Sequence, residues 1–454
     1  MKRENFGGKF AFIMALAGSA IGLGNIWRFP YVVGESGGAA FIVIYLIFSL
    51  VLSFPVLCCE TVIGRRARAG AYVAYTTLAP GTRWNFFGLL AVLSCFIINS
   101  YYSVIGGWSL EYLVQSSMFG FHADNAAASS GVFNGYASDV WRPICTHLVF
   151  LGMTAGICVL GVKNGIEKVT KVMTPLLFVL MVIVAVYSVM LPGSAEGVRY
   201  LLKPDFSKLT ADAVADALGQ SFLSMSLGVG GVIVYASYMK KDTGIVSSGF
   251  LTCLFDSGFA ILAGLAIMPA VFSVGIAPSS GPSLVFETFP YIFSSLGQHL
   301  GSPVVSRIVA TIFFLAIFMA ALTSSISLFE VCAEHLVSHR HFTRGRAALV
   351  LFLAMAILGG VCSLSFGVLS DVRLFDHSIF DICNELSSNY LMTIGALAVA
   401  LFTGWVMKKE DVRDEFTNSG TNRAGVVVFN VFYFVVKYIA PVGITVVFLA
   451  NFFK

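Results

Sequence analysis

Long apolar runs separated by short polar or turn-rich stretches dominate the chain. A helix needs about 20 mostly apolar residues to cross a bilayer. Eleven windows reach that length, at approximately 10–38, 40–64, 87–117, 143–161, 167–191, 212–238, 244–272, 303–337, 346–366, 377–407 and 423–452. They predict an all-α polytopic membrane protein of about 11 transmembrane helices, with residues 1–454 forming one transmembrane domain.

Two windows are interrupted at their middles. The first contains Ala17-Gly18-Ser19-Ala20-Ile21-Gly22-Leu23-Gly24-Asn25-Ile26-Trp27-Arg28-Phe29-Pro30. In a helix interior glycine costs about 1 kcal/mol relative to alanine, and proline about 3 kcal/mol. A charged side chain at bilayer depth is also costly and turns toward protein or water. An unwound backbone facing a polar site is the expectation. Met1-Lys2-Arg3 and the apolar run after it resemble a cleavable signal peptide, but the run continues past Ala20 to Arg28, which argues for retention.

The sixth window breaks in the same way, at Gly219-Gln220-Ser221-Phe222-Leu223-Ser224-Met225-Ser226-Leu227-Gly228-Val229-Gly230-Gly231. Small residues alone also serve close helix packing. Corresponding breaks in windows one and six point instead to a 5+5 inverted repeat, about 10–191 and 212–407, with an extra C-terminal helix at about 423–452. In transporters built on such repeats, matched broken helices mark the binding site.

Composition and charge sharpen this picture. Residues are 57% hydrophobic and 11% charged, against about 25% charged in soluble proteins. Lys and Arg gather in alternate connections: Arg65, Arg66, Arg68 and Arg83; Lys163 and Lys168; Lys240 and Lys241; Arg340, Arg344 and Arg346; Lys408, Lys409, Arg413 and Arg423. The excess places the N-terminus on the cytoplasmic side, and 11 spans then put the C-terminus outside. Connections 118–142 and 273–302 are expected as external caps, and 192–211 is the exception to the charge rule. The net charge of +4 gives no reason to expect a nucleic-acid partner.

Nine scattered cysteines show no CxxC spacing, so neither a disulfide framework nor a metal site is indicated. The seven histidines lie mostly in connections or at span ends, without metal spacing. A membrane-embedded enzyme lacks a nucleophile–base pair or cofactor motif; a receptor or channel is harder to separate from a transporter.

Further residues extend the two breaks into a pattern. Gly37-Gly38-Ala39-Ala40-Phe41 follows the first; Glu60 lies in the second span, Tyr101-Tyr102 in the third, and Lys163-Asn164-Gly165-Ile166-Glu167-Lys168 before the fifth. Tyr235-Ala236-Ser237-Tyr238 ends the sixth, and Ala320-Ala321-Leu322-Thr323-Ser324-Ser325 lies in the eighth. Over spans one to eight the chain resembles the neurotransmitter:sodium symporter family, which includes a bacterial leucine transporter. The resemblance implies a symporter importing a neutral, apolar amino acid, aliphatic or aromatic, by alternating access. It also implies a prokaryotic inner-membrane location, Na+ at two sites, and no enzymatic activity or obligate protein partner.

By that resemblance one sodium takes the Ala20 carbonyl, Asn25, Ser224, Asp256 and the substrate carboxylate. The second takes carbonyls of Gly18, Ile21 and Ala320 and the hydroxyls of Thr323 and Ser324. Without the resemblance, those hydroxyls read as bonded back to their own helix. Asp256 stands where many members carry asparagine, and Ala260 where bacterial members often place an acid. An ionised Asp256 would supply that charge and make transport chloride-independent; a neutral Asp256 between helices is the plainer reading.

Amides near Gly22 and Gly24, with the Tyr102 hydroxyl, are expected to hold an α-carboxylate, because helix N-termini attract anions. Carbonyls of Ala20, Leu223 and Ser224 and the Ser226 hydroxyl are expected to take an amine. Ile98, Tyr102, Leu223, Val229, Ser324 and Leu328 would line the side-chain pocket, largely apolar, where a charged tail would lack a partner. Leu223 and Val229 replace phenylalanines of the leucine transporter. For the gates, Arg28 is expected to pair with Glu385, Ser388 standing at the aligned acidic place, while Arg3 and Phe6 match a cytoplasmic latch. Glu60 is expected to accept hydrogen bonds from the unwound first helix.

Overall fold

The computed structural model describes residues 4–275, 284–299 and 302–453. All regular elements among them are helices, apart from an isolated bridge between Leu374 and His377. Nine described helices are long and apolar enough to cross a membrane, and ten when one bent pair counts as a span. The bent pair is α1 (Lys9–Ala20) and α2 (Gly24–Glu35), which meet at 54°. Then follow α3 (Ala39–Ala67), α4 (Asn85–Met118), α5 (Trp141–Val159) and α6 (Val162–Val189).

The sixth expected span is present as two short helices, α7 (Ala211–Ser224) and α8 (Gly231–Ser237), with Met225–Gly230 non-helical between them. The chain continues as α9 (Ile245–Ser273), α10 (Pro303–Ser338), α11 (Arg344–Leu364), α12 (Ile379–Val406), the short α13 (Lys409–Phe416) and α14 (Gly425–Ala450).

Proline explains where two of the long helices loosen. Pro30 and Pro55 have no N–H to give the carbonyl four residues back, and their rings crowd it. Each is preceded by a wide turn, Gly24–Arg28 and Ser49–Ser53. There the Phe29 and Phe54 amides reach five residues back, to Gly24 and Ser49. The backbone is therefore already under-wound beside the first break.

Burial is unequal. Every residue of α1 from Ala11 to Ala20 is buried, as expected of a helix apolar on all sides. It lies against α6, α9 and α10, while α10 packs along α4 and α8 along α3. Lipid gives such packing no hydrophobic drive, so close van der Waals fit must supply it. Gly228 and Gly395 show how close: a Cβ on Gly228 would stand 2.1 Å from the Met392 carbonyl oxygen, and one on Gly395 2.0 Å from that of Gly228. The two breaks lie inside this packed centre.

Candidate functional site

The first break leaves donors at the start of α2 without intrahelical partners. The Gly22 amide donates to Asn25 Oδ1 at 3.2 Å, and the Leu23 amide to the Tyr102 hydroxyl at 3.1 Å. Asn25 is fully buried, and its Nδ2 donates to Ser224 Oγ at 3.0 Å and to Asp256 Oδ1 at 2.8 Å. Ser224 Oγ in turn donates to Asp256 Oδ2 at 2.7 Å. The Tyr45 hydroxyl completes the group, 3.3 Å from Ser224 Oγ and 3.4 Å from Asp256 Oδ2. The Asp256 carboxylate, on α9, thus collects donors from three other helices.

The second break turns more sharply. Ser226, Gly228 and Gly230 have φ of 50°, 84° and 77°, in the left-handed region. The Gly228 amide donates to Glu60 Oε1 at 2.6 Å, and Cys95 Sγ approaches the Val229 carbonyl at 3.1 Å. Glu60 therefore braces the broken sixth span, which corrects the expectation that it serves the first. The amide freed at Gly228 faces α3, while the Gly22 and Leu23 amides are taken by Asn25 and Tyr102.

Between the breaks lies a cavity of about 90 Å³. Ala20, Gly22 and Gly24 line one side, Leu223, Ser224, Ser226 and Val229 another, and Ile98, Tyr102, Ser324 and Leu328 the remainder. All 11 residues named for the substrate from the sequence are thus brought to one cavity. Ser19, Tyr101, Ser388 and Met392 join them.

The second cluster is held by α10. Ser324 Oγ stands 3.3 Å from the Ser19 carbonyl and 3.2 Å from that of Ile21. Thr323 Oγ1 donates back to Met319 and Ala320 carbonyls at 3.0 and 3.1 Å, the arrangement its sequence alone favours. Gly18 packs between Thr174 and Thr323: a Cβ there would come within 2.6 Å of Thr174 Oγ1 and 3.5 Å of Thr323 Cβ. Gly18, Ile21, Ala320, Thr323 and Ser324 are therefore neighbours.

The gate residues fare differently. Arg28 and Asp216 both line a vestibule of about 30 Å³. Leu223, Ser388 and Met392 line both vestibule and cavity, so they form the partition. Glu385 instead stands 3.4 Å from His377 Nδ1 with its side chain 43% exposed. The acid that shares the vestibule with Arg28 comes from α7, whereas the sequence pointed to α12. Arg3 lies outside the described residues. Phe6 is buried against Phe12, Tyr235 and Tyr238, and its amide donates to the Tyr238 carbonyl at 3.0 Å. Glu330 of α10 accepts from the Tyr238 hydroxyl at 2.8 Å and pairs with Arg344 at 2.8 Å.

Tyr45, Thr174, Asp216 and Met392 were not legible as site residues. Tyr45 and Thr174 sit in unbroken apolar runs, and Asp216 lies a turn before the second break.

Residues 3–125 and 140–454 match the sodium:neurotransmitter symporter family, and the chain belongs to that family. It is a sodium-dependent transporter and not an enzyme. An uncharacterised sodium-dependent transporter of Bacillus subtilis is 38% identical over 99% of this chain and 97% of its own. The human sodium- and chloride-dependent GABA transporter 2 is 25% identical over 89% of this chain and 73% of its own. The solved structure of MhsT in complex with L-phenylalanine matches with a TM-score of 0.89 and 38% identity, covering 99% of this chain and 100% of that one.

Proposed function

We propose that this protein is a sodium-coupled symporter that carries a neutral, apolar amino acid through the cavity between its two broken helices. The observation that carries this reading is the meeting of Asn25, Ser224 and Asp256 beside a cavity walled by Ile98, Val229 and Leu328. A hard cation favours oxygen ligands; the Ser224 hydroxyl and the Asp256 carboxylate meet beside Asn25, and no metal-holding group of histidine, cysteine and acidic residues is found among the described residues. In this reading one sodium is held by the Ala20 carbonyl, Asn25, Ser224 and Asp256 and by the substrate carboxylate. The second lies among Gly18, Ile21, Ala320, Thr323 and Ser324. Gly22, Gly24 and Tyr102 take the carboxylate, and Ser226 with nearby carbonyls takes the amine.

The tail faces apolar walls, so a charged side chain would lose its hydration without a partner. A relative solved with L-phenylalanine supports an aromatic or aliphatic tail. The mechanism is alternating access by two inverted repeats, with Leu223, Met392 and the Arg28–Asp216 pair closing the outer side. The N-terminus is cytoplasmic, in a prokaryotic inner membrane.

Asp256 supplies the negative charge beside the first sodium, so chloride is dispensable. Uptake of labelled L-phenylalanine and L-leucine into proteoliposomes tests both halves of the proposal. Sodium must drive accumulation of at least one, and replacing chloride with gluconate must leave the rate unchanged. Accumulation that is equal in potassium, or that collapses without chloride, sinks the corresponding half.

A further inference from the structure

The basic residues around α13 fall into two groups. Arg65 pairs with Glu415 at 2.6 Å, and Arg66 with Asp411 and Asp414 at 2.6 and 3.1 Å. The acidic face of α13 is thus taken up by the end of α3. Its exposed Lys409 and Arg413 turn instead to α14. Lys409 Nζ lies 5.2 Å from the Tyr433 ring centre, and the Arg413 guanidinium 5.9 Å from that of Phe429.

One turn further along α14, Lys437 Nζ stands over Trp405 at 4.6 Å, Tyr438 at 5.7 Å and Tyr433 at 6.0 Å. The Trp405 indole donates to the Lys437 carbonyl at 3.0 Å and fixes α12 against α14. Among the described residues no carboxylate lies within ion-pair distance of Lys409, Arg413 or Lys437, whereas Arg65 has one and Arg66 three. With Lys408 also exposed, a positive surplus remains.

Ring faces carry negative quadrupole and hold an ammonium without neutralising it. An exposed apolar stripe begins at the same point: Tyr438, Val442, Val446 and Leu449 recur at helical spacing, 48%, 64%, 50% and 45% exposed. We propose that this patch binds an anionic phospholipid. Lys437 and Lys409 hold its phosphodiester through charge-assisted hydrogen bonds, Trp405 and Tyr438 sit at the interfacial level, and an acyl chain follows the stripe. Free phosphate would have no use for the stripe, so the occupant is a lipid.

Native mass spectrometry of the full chain, released from micelles holding equal phosphatidylglycerol and phosphatidylcholine, tests this. Phosphatidylglycerol should be retained preferentially. Lys437→Gln and Lys409→Gln should each lower that retention about five-fold. Lys437→Arg should keep it, and Lys241→Gln, on the connection after α8, should leave it unchanged. Equal retention of both lipids, an unaffected double Gln variant, or displacement by millimolar inorganic phosphate would overturn the proposal. So would equal loss in the Arg and Gln variants, since packing rather than charge would then be the cause.

Discussion

The two broken spans meet at one cavity but are broken by different means. In the first, the helix resumes after Ile21–Leu23 with a 54° bend, and the freed Gly22 and Leu23 amides are caught by side chains that line the cavity. In the second, three residues adopt positive φ and the freed Gly228 amide is caught by Glu60, on the side away from the cavity. The first break is therefore held by the same groups proposed to hold the cargo, Asn25 and Tyr102. The second is held by packing and by a buried carboxylate that cargo does not touch. Changes at Gly22, Asn25 and Tyr102 should act on sodium and substrate, and changes at the turn around Gly228 on whether the protein folds.

Gly228→Ala should have the largest effect. A side chain there combines a positive φ with a Cβ 2.1 Å from the Met392 carbonyl and 2.4 Å from the Ala396 amide, none of which can move alone. Strain and overpacking together reach several kcal/mol, and the expected outcome is loss of monodisperse protein on size exclusion. Normal yield with normal binding would show that the second break is not held by packing.

Gly22→Ala should fold but bind poorly. Its Cβ would lie 2.7 Å from Ser324 Oγ and 3.0 Å from the Tyr102 hydroxyl, both side-chain atoms of the cavity. Gly24→Ala is the smaller change, because its Cβ meets only Leu223 Cδ2 at 3.8 Å. Substrate affinity should fall roughly ten-fold or more in the first and only slightly in the second. The reverse order would remove Gly22 from the carboxylate site.

Asp256→Asn sharpens the comparison from the ion side. It keeps the shape but removes the charge on which Asn25, Ser224 and Tyr45 converge. Sodium affinity should drop, and chloride should partly restore uptake by returning a negative charge to the site. Full uptake without chloride would show that the carboxylate charge is unnecessary.

What the sequence made legible follows the same division. Both breaks were readable because glycine, proline and a charge inside an apolar run are costly there and need a reason. Asn25, Ser224 and Asp256 lie far apart along the chain, and only the family pattern drew them together before the fold did. The cavity lining emerged for the same reason. Tyr45 escaped notice because an aromatic in an apolar helix is unremarkable without knowledge of its facing helix. Arg28 shares its vestibule with Asp216 rather than Glu385, since which charges come near each other depends on the approach of two helices and not on spacing within either. Glu60 was expected at the wrong break because a buried carboxylate is visible in sequence and the amide it serves is not.

The central claim is that the Asn25–Ser224–Asp256 group joins sodium to the amino acid. Equilibrium binding of the twenty amino acids to purified protein, in sodium and in potassium, for the wild type and Asn25→Ala, tests it most directly. Removing a buried residue with several hydrogen bonds costs about 1–3 kcal/mol, or roughly 5- to 150-fold in affinity. The expected result is binding of neutral apolar amino acids in sodium alone, with sodium and substrate affinities falling together in Asn25→Ala. Binding that is equal in potassium, or a variant whose sodium dependence is unchanged, would contradict the account.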